Sequence, residues 1–146
     1  MRVAAWFVLG LILIDRWLKN LALSHQELPL SSSFGFKLYE NSGLIGSLPN
    51  PAPNLILLAI ALIIVVLIWL AAAAWRQNQT SQFLCLLLII AGAASNLTDR
   101  LLHGSVIDYL QFFTTGYLNL ADLMISSGVL GLVYVKQNTI SSGGRH

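Results

Sequence analysis

From Leu55 to Trp75 the chain carries no charged residue. A helix crossing ~30 Å of hydrocarbon needs roughly 20 apolar residues, so this run has the length that a bilayer demands. The whole chain agrees, with 56% hydrophobic residues, 10% charged residues and a mean hydropathy of +0.73. Soluble domains carry about a quarter charged residues. A chain of 146 residues with this composition fits one integral-membrane domain, residues 1–146, with about four crossings. The expected spans are 3–23, 55–75, 83–102 and 118–135, which makes the fold mainly α. The first span has the outline of a secretory leader. However, Asp15, Arg16 and Lys19 fall where its apolar stretch should continue, and no small-x-small cleavage site follows cleanly. It reads as a retained helix.

Composition also excludes several classes. A single cysteine, Cys85, leaves no intrachain disulfide and no multi-cysteine metal site, and its apolar setting points to packing. The net charge of +2 comes from basic residues scattered singly, so no nucleic-acid partner is expected. There are no internal repeats or low-complexity linkers, and residues 141–146 read as a disordered tail.

The basic residues orient the spans. Arg2, Arg76, Lys136 and Arg145 fall at the termini and in the second connection, whereas the first connection holds only Lys37 and none lies between His103 and Gly116. By the positive-inside rule both termini and the 76–82 loop are cytoplasmic, and the 24–53 and 103–117 connections are outside. At ~1.5 Å per residue, three polar patches then reach one level near the outer face. They are Asp15, Arg16 and Lys19 on the first span, Asn96, Asp99 and Arg100 on the third, and Asn119 and Asp122 on the fourth. Ionisable groups at membrane depth cost a few kcal/mol each and mark functional sites by default.

The outer connections have strand character. Phe34, Phe36 and Leu38 alternate with Gly35, Lys37 and Tyr39, a period of two. Asn41-Ser-Gly43 then reads as a turn, and Pro49, Pro51 and Pro53 as a stop before the second span. Val106 to Phe113 can form a hairpin with Tyr117-Leu118. Tyr39, Tyr109, Phe112, Phe113 and Tyr117 suit an interfacial aromatic belt.

Residues three and four apart share a helical face. Asp15 with Lys19, and Asp99 with Arg100 or a cation on another helix, can neutralise one another as a brace. Asp122 has no cation within a turn of its own helix, and Asp108 lies in the outer segment leading back to it. Two such carboxylates can share one proton, one activating water while the other polarises a carbonyl, as in aspartic proteases. His103 is a candidate base or metal ligand, although a lone His at a helix end is more often a cap. Ser47, Ser95, Ser126 and Ser127 lack a nucleophile-elbow setting, and serines in membrane helices usually bond the backbone. Gly92, Gly128 and Gly131 read as close helix contacts. A proton-coupled transporter also uses lone carboxylates, but places them near the midplane.

Taken in order, Asp15-Arg-Trp-Leu-Lys19, Glu40-Asn41-Ser-Gly43, the long string from Gly92 to Tyr109, and Leu118-Asn119-Leu-Ala121-Asp122 resemble bacterial lipoprotein signal peptidase, signal peptidase II. The resemblance covers nearly the whole chain. It implies four transmembrane helices with a small extracytoplasmic β-cradle, in the bacterial cytoplasmic (inner) membrane. It implies a metal-independent aspartic endopeptidase without a cofactor, acting as a monomer among membrane lipids. The substrates so implied are diacylglyceryl prolipoproteins, cut just before the lipidated cysteine. The family's catalytic pair matches Asp108 and Asp122. Its substrate-binding or supporting residues match Asp15, Lys19, Asn41, Gly43, Gly92, Asn96, Asp99, Arg100, Asn119 and Ala121. Gly46 stands where the family usually has an aromatic, and Leu123 where a small polar residue is common. Both bear on substrate-loop contacts, and a non-catalytic binding relative remains the alternative.

The charge asymmetry is directly testable. In a Cys85→Ala background, cysteines placed at Ser31 and Gly116 should react with an impermeant thiol reagent added outside intact cells. A cysteine at Gln79 should stay unlabelled. Labelling at Gln79 from outside would invert the topology.

Overall fold

The computed structural model describes residues 2–24, 28–29, 34–42, 53–113 and 116–143. Four long helices and a small sheet alternate along the chain. Helix α1 (Arg2–Leu23) leads into β1 (Leu28–Pro29) and β2 (Phe34–Asn41). Helices α2 (Pro53–Arg76) and α3 (Thr80–His103) follow, then β3 (Val106–Phe112), β4 (Gly116–Leu118) and α4 (Leu120–Gly143).

The helix boundaries follow local chemistry. Pro53 does not merely stop a preceding helix; it opens α2, where its missing N–H costs nothing and its fixed φ suits a first turn. Helix α3 ends at Gly104, whose φ of 76° is left-handed and whose N–H donates to the Arg100 carbonyl, a glycine cap. At the other end, α4 begins at Leu120 rather than 118, because Leu118 belongs to β4. It also runs on through Gly143, so the expected tail from 141 is helical as far as that residue.

Helix α3 is the spine, packing against α4, α2 and α1. Small residues allow the close approach to α4. A Cβ added at Gly128 would lie 2.6 Å from both the Cys85 carbonyl and Ile89 Cγ1, and one at Gly131 2.5 Å from Cys85 Sγ. At Gly92 it would collide with the Ala121 carbonyl and Ile125. These three glycines are helix contacts, as their spacing suggested. Val8, Ala91 and Met124 form the core between α1, α3 and α4, while Ala71, Ala74 and Leu86 join α2 to α3.

The sheet is antiparallel in the order β1-β2-β3-β4. The expected strand and hairpin both form, and the hairpin pairs Gln111 with Tyr117. In addition β2 pairs with β3, setting Tyr39 opposite Asp108 and Asn41 opposite Val106, with a register shift between Phe36 and Tyr39. Asn41 is therefore the last residue of a strand rather than part of a turn. Ala22, Ile107 and Tyr109 pack the sheet onto the C-terminal end of α1. Tyr109 is fully buried, which removes it from the aromatic belt. Phe112 and Phe113 stay exposed, and Tyr39 stacks on Tyr117 with ring centres 4.4 Å apart.

Among the described residues two helices, Asn54–Arg76 and Thr80–His103, are long and apolar enough to cross a membrane. Apolar side chains face outward elsewhere too, including Leu13 and Trp17 on α1 and Leu130 and Val133 on α4. Apolar surface of that extent marks contact with lipid or protein.

The glycine contacts predict a clear contrast. Gly128→Val forces a side chain against a backbone carbonyl that cannot swing away, and overpacking of this kind costs about 1–3 kcal/mol. Gly10→Ala meets nothing within 4 Å and should gain about 0.5–1 kcal/mol of helix stability. Thermal unfolding in detergent should place the two midpoints on opposite sides of the parent. A Gly128→Val midpoint at or above the parent would refute the close packing.

Candidate active site

The polar patches of α1, α3 and α4 meet in one buried network. On α1, Asp15 and Lys19 lie one turn apart, both inaccessible, with Lys19 Nζ 3.2 Å from Asp15 Oδ2. The partner of Asp99 is not its neighbour Arg100 but the α1 cations. Asp99 Oδ2 lies 2.6 Å from Lys19 Nζ, and Oδ1 lies 2.7 Å from Arg16 Nη2. Ser95, one turn before Asp99, joins them through its hydroxyl, which donates to Asp15 Oδ2 and accepts from Arg16. It thus bonds side chains of another helix, not its own backbone as membrane serines usually do.

Asp15 also organises the start of α4. Its Oδ1 accepts from the Tyr109 hydroxyl at 3.0 Å and from the Ala121 N–H at 3.3 Å. The same Tyr109 oxygen accepts the Leu120 N–H at 2.9 Å. Asn119 is the N-cap: its Oδ1 accepts the Asp122 N–H at 2.9 Å, and Asp122 Oδ2 accepts the Asn119 N–H at 3.2 Å. That reciprocal pair is a capping box. The donors that a helix start leaves unpaired are thereby satisfied inside the protein, without water.

Asp108 and Asp122 converge on a cavity of about 230 Å³, lined also by Asn41, Asn96, Arg100 and Val106. Asn119 touches both carboxylates, because its Nδ2 donates to Asp108 Oδ1 at 2.6 Å while its backbone holds Asp122. Asn41 Nδ2 donates to Asp108 Oδ2 at 3.1 Å, and Asn96 Nδ2 to Asp122 Oδ1 at 2.8 Å. Arg100 belongs to this cavity and not to the brace around Asp99. Ile60 of α2 and Ala93 and Ile125 supply apolar wall. His103 is exposed at the end of α3 and does not line the cavity. Gly43, Gly46 and Ser47 lie outside the described residues.

Tyr109 and Ser95 are the network members that sequence reasoning left out of the site. Ser95 had a usable signal, since it stands four residues before Asp99 and so shares its face. Tyr109 had none, because only tertiary packing turns its ring inward. The capping box was legible as Asn119-x-x-Asp122.

Burial pushes the Asp108 carboxyl up to about 6, with the charge of Asp122 adding to the shift and Asn41, Asn119 and Lys19 opposing it. Its value in an unfolded chain is about 3.9. The folded state therefore holds this proton more tightly. The resulting stabilisation is complete below about pH 4 and is lost as pH rises through about 6. Over that window Asp108→Asn should show a shallower fall in unfolding free energy than the parent, by on the order of 2 kcal/mol. Detergent unfolding at pH 4 and pH 8 measures the difference. Equal slopes would contradict a raised Asp108.

Known proteins resemble this chain. The profile of Signal peptidase (SPase) II matches residues 7–136. The lipoprotein signal peptidase of Bartonella quintana is 36% identical over 145 residues, covering 88% of this chain and 84% of its own. That of Teredinibacter turnerae is 31% identical over 144 residues, with the same coverage. A solved bacterial membrane enzyme superposes with a TM-score of 0.85 over 100% of this chain and 94% of its own, at 14% identity. A second reaches 0.76 over 92% of each chain, at 15% identity. Those two likenesses concern the fold. With a family profile spanning most of its length and curated relatives above 30% identity, the chain belongs to the signal peptidase II family.

Proposed function

We propose that this chain is an aspartic endopeptidase removing signal peptides from diacylglyceryl prolipoproteins, with Asp108 and Asp122 as its catalytic pair. The observation that carries the reading is their convergence on one cavity, joined through Asn119, which bonds both. One carboxylate takes a proton from water as it attacks the scissile carbonyl. The other, protonated, donates to the carbonyl oxygen; on collapse it takes that proton back, while the first passes the proton gained from water to the leaving amine. Like charges held close resist double ionisation, which favours the singly protonated pair that this cycle needs.

The neighbours have supporting parts. Asn41, Asn96 and Asn119 orient the carboxylates, each by a side-chain hydrogen bond. Arg100 brings positive charge to the cavity wall. Asp15, Lys19 and Asp99 brace α1 against α3, and Gly92 with Ala121 brings α4 close enough to seat Asp122. Gly43 follows β2 in the sequence.

The placement of the cavity suits a lipid-modified substrate. Its walls come from α2, α3, α4 and β3, so a signal helix can approach from the bilayer while the sheet covers the cleavage point. We read all four helices as spans of one domain covering residues 1–146, with both termini cytoplasmic and the site near the outer face. The supporting observations are the outward apolar side chains on every helix and the absence of Lys and Arg between His103 and Gly116.

The experiment is cleavage of a lipidated prolipoprotein by purified variants. Asp108→Asn and Asp122→Asn keep an acceptor oxygen for their neighbours but lose proton exchange, and each should cost at least ~10²-fold in rate. Asp99→Asn should lower the unfolding midpoint, since it weakens contacts to the buried Lys19 and the partly exposed Arg16. Near-parent cleavage by either Asp108→Asn or Asp122→Asn would overturn the dyad.

A further inference from the structure

Lys19 is 2% exposed and bonds neither Asp108 nor Asp122. Its ammonium faces Asp99, Asp15 and Ser95, and also Asn96 Oδ1 at 3.0 Å. We propose that Lys19 is a positioning residue of the reaction, holding the carbonyl edge of the Asn96 amide toward α1 and so turning its NH2 edge onto Asp122.

The reasoning follows from the two unlike edges of a carboxamide, one accepting and one donating. In the observed orientation Asn96 Oδ1 takes Lys19 Nζ and, at 3.2 Å, Asn119 Nδ2, while Asn96 Nδ2 donates to Asp122 Oδ1 at 2.8 Å. A flipped amide would set its NH2 against two donors and its carbonyl against a carboxylate. All three contacts would become repulsive, in a site where burial magnifies each one. Lys19 is the stronger of the two determinants. Its bond is charge-assisted, whereas the Asn119 amide also serves Asp108 Oδ1 and the Ile107 carbonyl. Without the ammonium, Asn96 loses its preference and Asp122 loses a fixed donor. The loss falls on a group that does chemistry, so it should appear in kcat and leave KM unchanged.

This inference rests on the Asp108–Asp122 reading, and the test separates the two. Lys19→Met alone strips a cation from two buried carboxylates and endangers folding. The charge-balanced Lys19→Met/Asp99→Asn variant removes one charge of each sign and is compared with Asp99→Asn. Cleavage of a lipidated prolipoprotein in detergent should show kcat lower by about tenfold, the worth of one hydrogen bond to a charged group, at unchanged KM. In an Asn96→Ala background the same Lys19 substitution should bring no further loss of kcat. An unchanged kcat, a loss confined to KM, or a full loss persisting without Asn96 would each overturn the proposal. Asp108→Asn, assayed in parallel, reports on the dyad itself: if it is inactive while the Lys19 effect is missing, only the positioning role fails.

Discussion

Everything in this molecule depends on the buried ion cluster that joins α1 to α3. Two cations, Arg16 and Lys19, face two carboxylates, Asp15 and Asp99, at separations from 2.6 to 3.6 Å. Desolvating four charges is expensive, and the attraction offsets that cost only when geometry and extra hydrogen bonds are good. Here the Ser95 hydroxyl, the Tyr109 hydroxyl and the backbone N–H groups of Ile107 and Ala121 supply those bonds. Removing one member of such a cluster typically costs 3–5 kcal/mol, so the cluster specifies how α1 seats on α3.

That docking has consequences beyond the brace. Asp15 reaches the first turn of α4, and Asp99 holds the Ile107 N–H at the start of β3. The strand carrying Asp108 and the helix carrying Asp122 are therefore both anchored to the same four charges. The two carboxylates line one cavity because one polar core fixes the elements that bear them. Asn119 shows the economy of the arrangement, since it caps a helix, holds one carboxylate through its side chain and the other through its backbone. The same burial that positions Asp108 raises its proton affinity, so the feature useful to acid–base chemistry detracts from stability near neutral pH.

Much of this was legible beforehand. Charge-free length identified α2, period-two alternation identified β2, and the spacing of Asn96 with Asp99 and of Asn119 with Asp122 identified the polar faces of α3 and α4. Local patterns succeed there because helix and strand periodicity act within a few residues. What was left open or missed has a different cause. For Asp99 the sequence left open Arg100 or a cation on another helix, and the second holds, because adjacent residues on a helix point about 100° apart and the two side chains enter different surroundings. Tyr109 read as an interfacial ring because its neighbours are aromatic, whereas β2 and α1 close over it.

The sequence by itself determined a mainly helical chain with apolar runs of bilayer length, a short hairpin, and a set of polar residues too costly to be incidental. Those properties reside in composition and in spacing over one or two turns. Only the tertiary structure decided that α1 supplies the cations of Asp99 and that Asp108 and Asp122 share one cavity. Asp99 meets cations from across the α1–α3 contact and Asp15 pairs with Lys19 one turn along its own helix, while Asp108 and Asp122 receive asparagine amides. The physical reason is that a charge's partner in a protein interior is whichever group packing brings within about 3 Å, and for Asp99 that group, Arg16, lies on another element 83 residues away.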